Sequence, residues 1–353
     1  MKPFTELLQP HILALAPYSS ARDEYTGSEG VFLDANENPL GSVGSSQNYN
    51  RYPDPYQHAI KTELARIKGV NPNQIFLGNG SDEAIDLLIR AFCKPSHDQI
   101  LIMPPTYGMY EVSANINNVG IVRVPLTADY QIDVAAVQAA ITPQTKILFI
   151  CSPNNPTGNA LNPQHIQTLL DTFEGIVILD EAYIDFCPET SWLSKLDSYP
   201  NLVIIQTFSK AWGLAGLRVG MAFAQAGPIA VLNKIKPPYN ISLVTQQIVL
   251  ESLLHESEKD AMVAEILHQR VSLAAALETF SFVQKIHVSD ANFLLVQMLN
   301  AKQIFDYLID NQVIVRNRAN VILCSDCLRI SVGTQAENEV LLQKLAMWEK
   351  KSM

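Results

Sequence analysis

The sequence has little charge and gathers none of it into runs. Only 17% of its 353 residues are Asp, Glu, Lys or Arg, and 35 acidic against 25 basic side chains leave a net charge of −10. With no basic run to follow a phosphate backbone, nucleic-acid binding is not expected. No apolar stretch reaches the roughly 20 residues that a membrane-spanning helix needs. Met1 to Pro10 holds Lys2 but also Glu6 and no long apolar core, so it does not read as a secretory signal. Cysteine is scarce as well: five residues, an odd number, scattered at Cys93, Cys151, Cys187, Cys324 and Cys327. That usage suits a reduced, cytoplasmic protein. Cys324 and Cys327 form a C-x-x-C, but no second ligand pair stands at zinc spacing. Val321-Ile322-Leu323 and Leu328-Arg329-Ile330 read as strands around a turn, not as the helix start that a redox pair favours, so a structural role is expected. Two nucleotide signatures are missing. There is no G-x-x-x-x-G-K-[ST], and Gly78-Asn79-Gly80 lacks the third glycine of a dinucleotide fingerprint, because Glu83 stands there.

What is present is apolar and periodic. Hydrophobic residues make up 48% of the chain, enough for a large core and two domains. From about residue 60 to 240, strand and helix signals alternate, the pattern of an α/β protein. Ile60–Ile67 and Ser81–Phe92 read as helices. Gln74–Leu77, Gln99–Met103, Lys146–Cys151, Ile176–Leu179 and Leu202–Phe208 read as strands. After about 245 the texture changes. A helical stretch from Leu243 to Phe280 leads to strand-like Asn292–Val296, Val313–Val315 and Cys327–Val332, then a terminal helix. The expected division is an N-terminal arm over 1–40 that joins the small domain, a large domain over 41–245 with a mostly parallel central sheet, and a smaller α+β domain over 246–353. No internal repeat or low-complexity segment is seen.

Five apolar strands end in polar residues. In an open parallel sheet, ligands bind beyond the carboxyl ends of the strands, so these groups are expected to line one crevice. The segment Val203 to Gly220 is the most informative. Its apolar run ends in Thr207, Ser209 and Lys210, and Arg218 follows across a glycine-punctuated turn. A lysine beside an apolar wall and a cation loses its proton readily and attacks carbonyls. An arginine fork suits a phosphate. Amine plus phosphate anchor points to pyridoxal phosphate held as a Schiff base, although the segment alone also fits a solvated lysine and an arginine on a helix face. Ser81 is a plausible N-cap, and free N–H groups at a helix start bind phosphate; the same residues also suit an ordinary capped helix. Asp180, ending Ile176–Leu179, could pair with a protonated pyridine nitrogen. Tyr183 could hydrogen-bond a phenolic oxygen on the same ring. The proline-locked turn around Asn154-Asn155-Pro156 aims Asn155 into the crevice, unless it is simply a tight turn. Tyr107, after Pro104-Pro105, could stack on an aromatic ring or serve the core.

Taken in order, G-N-G-S-D-E at 78–83, P-P-T-Y at 104–107, N-N-P-T-G at 154–158, D-E-A-Y at 180–183 and S-K-x-x-G-L-A-G-L-R-x-G at 209–220 resemble the fold-type-I pyridoxal-phosphate aminotransferases. The match runs over nearly the whole chain. Asp34–Pro39, Arg51–Pro55 and Cys327–Gly333 make it most similar to the histidinol-phosphate aminotransferases within that group. The resemblance implies pyridoxal 5′-phosphate as cofactor. It implies a Lys210 Schiff base, with Lys210 then acting as general base. It pairs Asp180 with the pyridinium, and places Asn155 and Tyr183 at the phenolic oxygen and Tyr107 on the ring. Ser81, the Asp82 backbone, Ser209 and Arg218 would hold the cofactor phosphate, with Tyr52 reaching in from the other subunit of a homodimer. Arg329 would take the substrate's anionic end; Arg316, Tyr18, Asn36 and Asn155 complete the substrate set. Arg316 could equally be solvated charge at a turn. The reaction implied is ping-pong transamination of imidazole-acetol phosphate with L-glutamate, giving L-histidinol phosphate and 2-oxoglutarate in histidine biosynthesis. An aromatic amino acid aminotransferase or a threonine-phosphate decarboxylase of the same fold are alternatives. A non-catalytic, DNA-binding regulator is a third, disfavoured by acidity, by the lack of room before Leu33 and by the intact Lys210 and Asp180.

Overall fold

The computed structural model describes residues 3–19, 24 and 29–352. The N-terminal arm expected over 1–40 therefore lies partly outside the described residues. A seven-stranded sheet is built from β1 (Ile75–Asn79), β2 (Gln99–Ile102), β3 (Gly120–Arg123), β4 (Thr145–Cys151), β5 (Ile176–Asp180), β6 (Leu202–Thr207) and β7 (Val219–Phe223). Its order is β1-β7-β6-β5-β4-β2-β3. The pairs β2–β3, β2–β4, β4–β5 and β5–β6 are parallel, while β7 runs antiparallel to both β6 and β1. The mostly parallel α/β sheet is thus as expected.

Both faces of this sheet are buried, which explains its near-continuous apolar strands. Ile147, Phe149, Ile176, Ile178, Val203 and Ile205 pack into one core cluster. Their neighbours Leu148, Ile150, Val177, Leu179, Leu202 and Ile204 pack into the other. The two-residue alternation follows from the pleat.

Two features of this sheet place the site. Helix α1 (Gly80–Phe92) starts directly at the end of β1. The antiparallel β7 begins where β1 and β6 end, since Val219 pairs with Asn79 and Gly220 with Thr207. The 208–218 connection therefore starts and finishes on the same rim, and Lys210 and Arg218 share it. Gly220 is required here: a Cβ would lie 2.1 Å from the Ser81 backbone nitrogen.

A second, antiparallel sheet has the order β10-β11-β9-β8, from β8 (Val283–Ile286), β9 (Phe293–Met298), β10 (Arg316–Asn317) and β11 (Cys327–Ser331). Leu294, Val296, Leu328 and Ile330 share its core with Leu273, Leu277, Ile304, Leu308, Leu341 and Leu345 from the surrounding helices.

Four local expectations are corrected. Ser81 is not the N-cap. The helix begins at Gly80 with Asn79 flanking it, and Glu83 Oε2 accepts the Asn79 backbone N–H at 2.5 Å, so Ser81 falls inside the first turn. Val313–Val315 is not a strand: only Arg316 and Asn317 find partners across β11, and an extended run without a partner forms no ladder. Val321–Leu323 is a turn, with Leu323 in the left-handed region at φ 62° and Asp326 at φ 57°. The helical stretch from Leu243 to Phe280 is two helices, Leu243–Leu253 and Glu256–Leu277, parted at Leu254-His255.

Candidate active site

A cavity of about 660 Å³ opens at the carboxyl rim of the large sheet. Ser81, Asp82, Tyr107, Asn155, Asp180, Tyr183, Ser209, Lys210 and Arg218 line it from that sheet, and Arg316, Arg318 and Arg329 line it from the small one. Nine of the candidate side chains named above thus meet Arg316 and Arg329 across one space. Tyr18, Asn36 and Tyr52 do not join them. Tyr18 is 72% exposed. Tyr52 stacks on Tyr239 at 4.4 Å in a separate cleft that Asn36 also lines.

Asp180 sits at the end of a fully buried strand and is itself buried. It accepts hydrogen bonds from Tyr110 Oη at 2.6 Å and from the Ala182 N–H at 3.0 Å. Burial raises its pKa to about 6, against the pull of these two bonds and of Lys210. Tyr110 was not foreseen from the sequence. It lies in the helix Met109–Ile116, is completely buried and stacks on Phe149 at 4.5 Å. No local pattern singles it out, since Tyr107 lies before the helix that carries Tyr110. The two rings meet edge-on at 5.6 Å.

Lys210 Nζ lies 5.6 Å from the centre of the Tyr183 ring. Burial, then the Arg329 charge and, more weakly, that of Arg218, push its amine below the usual lysine value, while Asp180 and Asp82 oppose them. The amine is therefore partly prepared to act as a nucleophile or base. Tyr183 is buried against Phe293, and burial pushes its hydroxyl well up. Asn155 ties the two sheets together. Its Nδ2 donates to Tyr183 Oη at 3.3 Å, and its Oδ1 accepts from Arg329 Nη1 at 2.5 Å.

The start of α1 makes an anion cradle. The Gly80 N–H donates to the Arg218 carbonyl at 2.8 Å, and the Arg218 guanidinium stands 3.6 Å from Asp82. Gly80 has φ +72°, and a Cβ there would lie 2.9 Å from Arg218 Nη2. Glycine thus lets the arginine close over first-turn N–H groups that have no acceptor within the helix. Tyr107 Oη donates to Asp82 at 3.2 Å on the other flank.

The C-x-x-C pair lies apart from this chemistry. Cys324 and Cys327 are free and buried, the first in the turn before β11 and the second opening that strand. Among the described residues no group of three His, Cys, Asp or Glu side chains could hold a metal ion, and no helix is long and apolar enough to cross a membrane.

A lysine of lowered basicity, a buried carboxylate and an arginine-backed helix start, all on one rim of an α/β sheet, define an aminotransferase-type centre. The chain belongs to the class I and II aminotransferase family, whose model matches residues 24–345. Within that family it is 55% identical to a histidinol-phosphate aminotransferase of Cytophaga hutchinsonii over 96% of this chain and 97% of that one. Among solved structures it resembles the histidinol-phosphate aminotransferase of Clostridium acetobutylicum, with TM-score 0.79, 25% identity and coverage of 86% of this chain and 92% of that one. It shares its fold with the Sinorhizobium meliloti enzyme solved in complex with pyridoxal-5′-phosphate, at TM-score 0.79 and 23% identity over 90% of each chain.

Proposed function

We propose that the protein transfers the amino group of L-glutamate to imidazole-acetol phosphate, giving L-histidinol phosphate and 2-oxoglutarate, with pyridoxal 5′-phosphate as cofactor. The observation that carries this reading is the meeting of Lys210 and Asp180 with Arg316 and Arg329 in one cavity. The names of the relatives support it. The cofactor fits the donor set: the Gly80 cradle suits its phosphate, and the buried Asp180 carboxylate suits a cationic ring N–H. Bound there, pyridoxal phosphate supplies an aldehyde to amines and a ring that takes up the electrons of a broken bond.

The protein's own residues then divide the work. Lys210 Nζ would hold the cofactor through its aldehyde carbon and would carry the proton to and from the substrate's α-carbon. Asp180 would hold the ring nitrogen and favour its protonated form, since a buried anion strongly favours a cationic partner. Tyr110 and the Ala182 N–H hold that carboxylate in place. Asn155 and Tyr183 would hold the ring oxygen, and Tyr107 would lie against the ring. Ser81, the Asp82 N–H, Ser209 and Arg218 would hold the cofactor phosphate.

Arg329 and Arg316 take the anionic end of either substrate, a carboxylate in one half-reaction and a phosphate in the other, with Tyr18, Asn36 and Asn155 completing that end. Exposed Tyr52, outside its own cavity, completes the site of a second copy in a homodimer. The working division is an arm over 1–40, a large cofactor domain over 41–245 and a small domain over 246–353, in a cytoplasmic protein. Initial rates measured with L-glutamate and imidazole-acetol phosphate test the reading. Parallel double-reciprocal lines are expected; no 2-oxoglutarate production would reject it.

A further inference from the structure

The small sheet carries one more arginine than this reading uses. Antiparallel pairing puts Arg316 directly opposite Arg329. Arg318 follows Arg316 by two residues, the spacing that returns a side chain to the same face of a strand. All three line the cavity. Like charges opposed on a ladder destabilise it, and among the described residues none of the three is ion-paired to a carboxylate. Three uncompensated guanidinium groups on one face therefore imply an anion supplied from outside.

Arg318 differs from its neighbours. Arg329 donates to Asn155 and lies 5.3 Å over the Phe293 ring. The Arg318 backbone N–H donates to the Cys327 carbonyl and extends the β10–β11 hairpin. Its side-chain Nε, however, is buried with no acceptor among the described residues. A buried donor without a partner is uncommon in a native chain and needs a reason. The two substrate anions differ in what they ask of such a site. A carboxylate brings one charge and two oxygens. A phosphate monoester brings about −1.5 to −2 charges near pH 7 and three terminal oxygens.

We propose that Arg318 is a specificity residue of this cavity, giving a third guanidinium to a phosphate monoester while contributing little to a dicarboxylate. The inference rests on the proposed function, in which one site must accept both. The two half-reactions then share Lys210 and Asp180 but not Arg318. A purely structural role in the hairpin makes a different prediction. Loosening β10 would disturb Arg316 and Arg329 together, and both ligands would weaken alike.

The test uses the holoenzyme and two unreactive probes, propyl phosphate and glutarate, whose dissociation constants are measured by calorimetry. Arg318→Gln is expected to weaken propyl phosphate about 10–100-fold, the worth of a hydrogen bond to a charged group, and glutarate by less than about threefold. Arg318→Lys keeps the charge without the fork and should fall between wild type and Gln; it carries the test alone if the Gln variant does not fold. Equal losses for the two probes, or no loss for the phosphate, overturn the proposal. Failure of the wild type to turn over L-histidinol phosphate, with propyl phosphate binding still dependent on Arg318, would reject the proposed reaction and leave the anion selectivity standing.

Discussion

The two walls of the cavity are built on opposite principles. On the large sheet, the acidic groups are hydrogen-bonded or ion-paired. Asp180 has two donors, Arg218 closes on Asp82, and Glu83 takes up the Asn79 N–H. On the small sheet, Arg316, Arg318 and Arg329 face the same space with no carboxylate to balance them among the described residues. The first wall is a settled environment, suited to a group that stays. The second keeps unspent charge, suited to anions that come and go. Asn155 bonds to both, through Tyr183 on one side and Arg329 on the other.

The sharpest way to break this contrast is at the amine. Lys210→Ala should lower turnover by about 10⁴-fold or more, because nucleophile and proton carrier are lost together; steady-state rates with both substrates decide it. Asp180→Asn comes next, at about 10²–10³-fold in kcat, since a neutral amide does not hold a cationic ring N–H. The same residue governs a pH effect in the cofactor-free protein. Its folded carboxyl keeps a proton up to about pH 6, whereas the ordinary value is 3.8. The folded state thus binds more protons in that window, and stability falls as pH rises through it, by about 3 kcal/mol in all. Thermal unfolding between pH 4 and 7 should show this fall, and Asp180→Asn should flatten it.

On the other wall the effects are smaller and fall on binding. Arg329→Ala should lower kcat/KM about 10²-fold in both half-reactions, through KM more than kcat, because its fork serves both anions. Equal losses in kcat and kcat/KM would instead place Arg329 in the chemical step. The smallest effect is expected at Tyr110→Phe, which removes one donor from a buried carboxylate. Chemical denaturation should register about 1–3 kcal/mol of lost stability, with a further rise in the Asp180 pKa. An unchanged midpoint would mean that the hydroxyl contributes nothing to holding Asp180.

The large-sheet wall was legible in the sequence because its residues end apolar strands at short range. Ile176–Leu179 leads into Asp180, and Leu202–Thr207 leads toward Lys210. Arg218 could be read as a neighbour of Lys210 from the glycine-rich turn between them, although β7 behind it was not foreseen. The small-sheet wall was harder. Val313–Val315 has strand-like side chains, yet Ile314 is 74% exposed and the pairing starts only at Arg316, because a ladder depends on where a distant strand falls. The same dependence made Val321–Leu323 look extended when positive φ at Leu323 and Asp326 turns the chain. Tyr110 escaped notice because its partner Asp180 lies 70 residues away. Its burial is set by helix packing, which no local pattern around it announces.

The account is tested most directly by a single-turnover absorbance titration of the cofactor-loaded protein with L-histidinol phosphate, with L-phenylalanine and O-phospho-L-threonine in parallel. Histidinol phosphate should convert the pyridoxal band to the pyridoxamine band at far lower concentration than the other two. Conversion by phenylalanine at equal concentration would contradict the account, because it would leave the arginine wall without its anion.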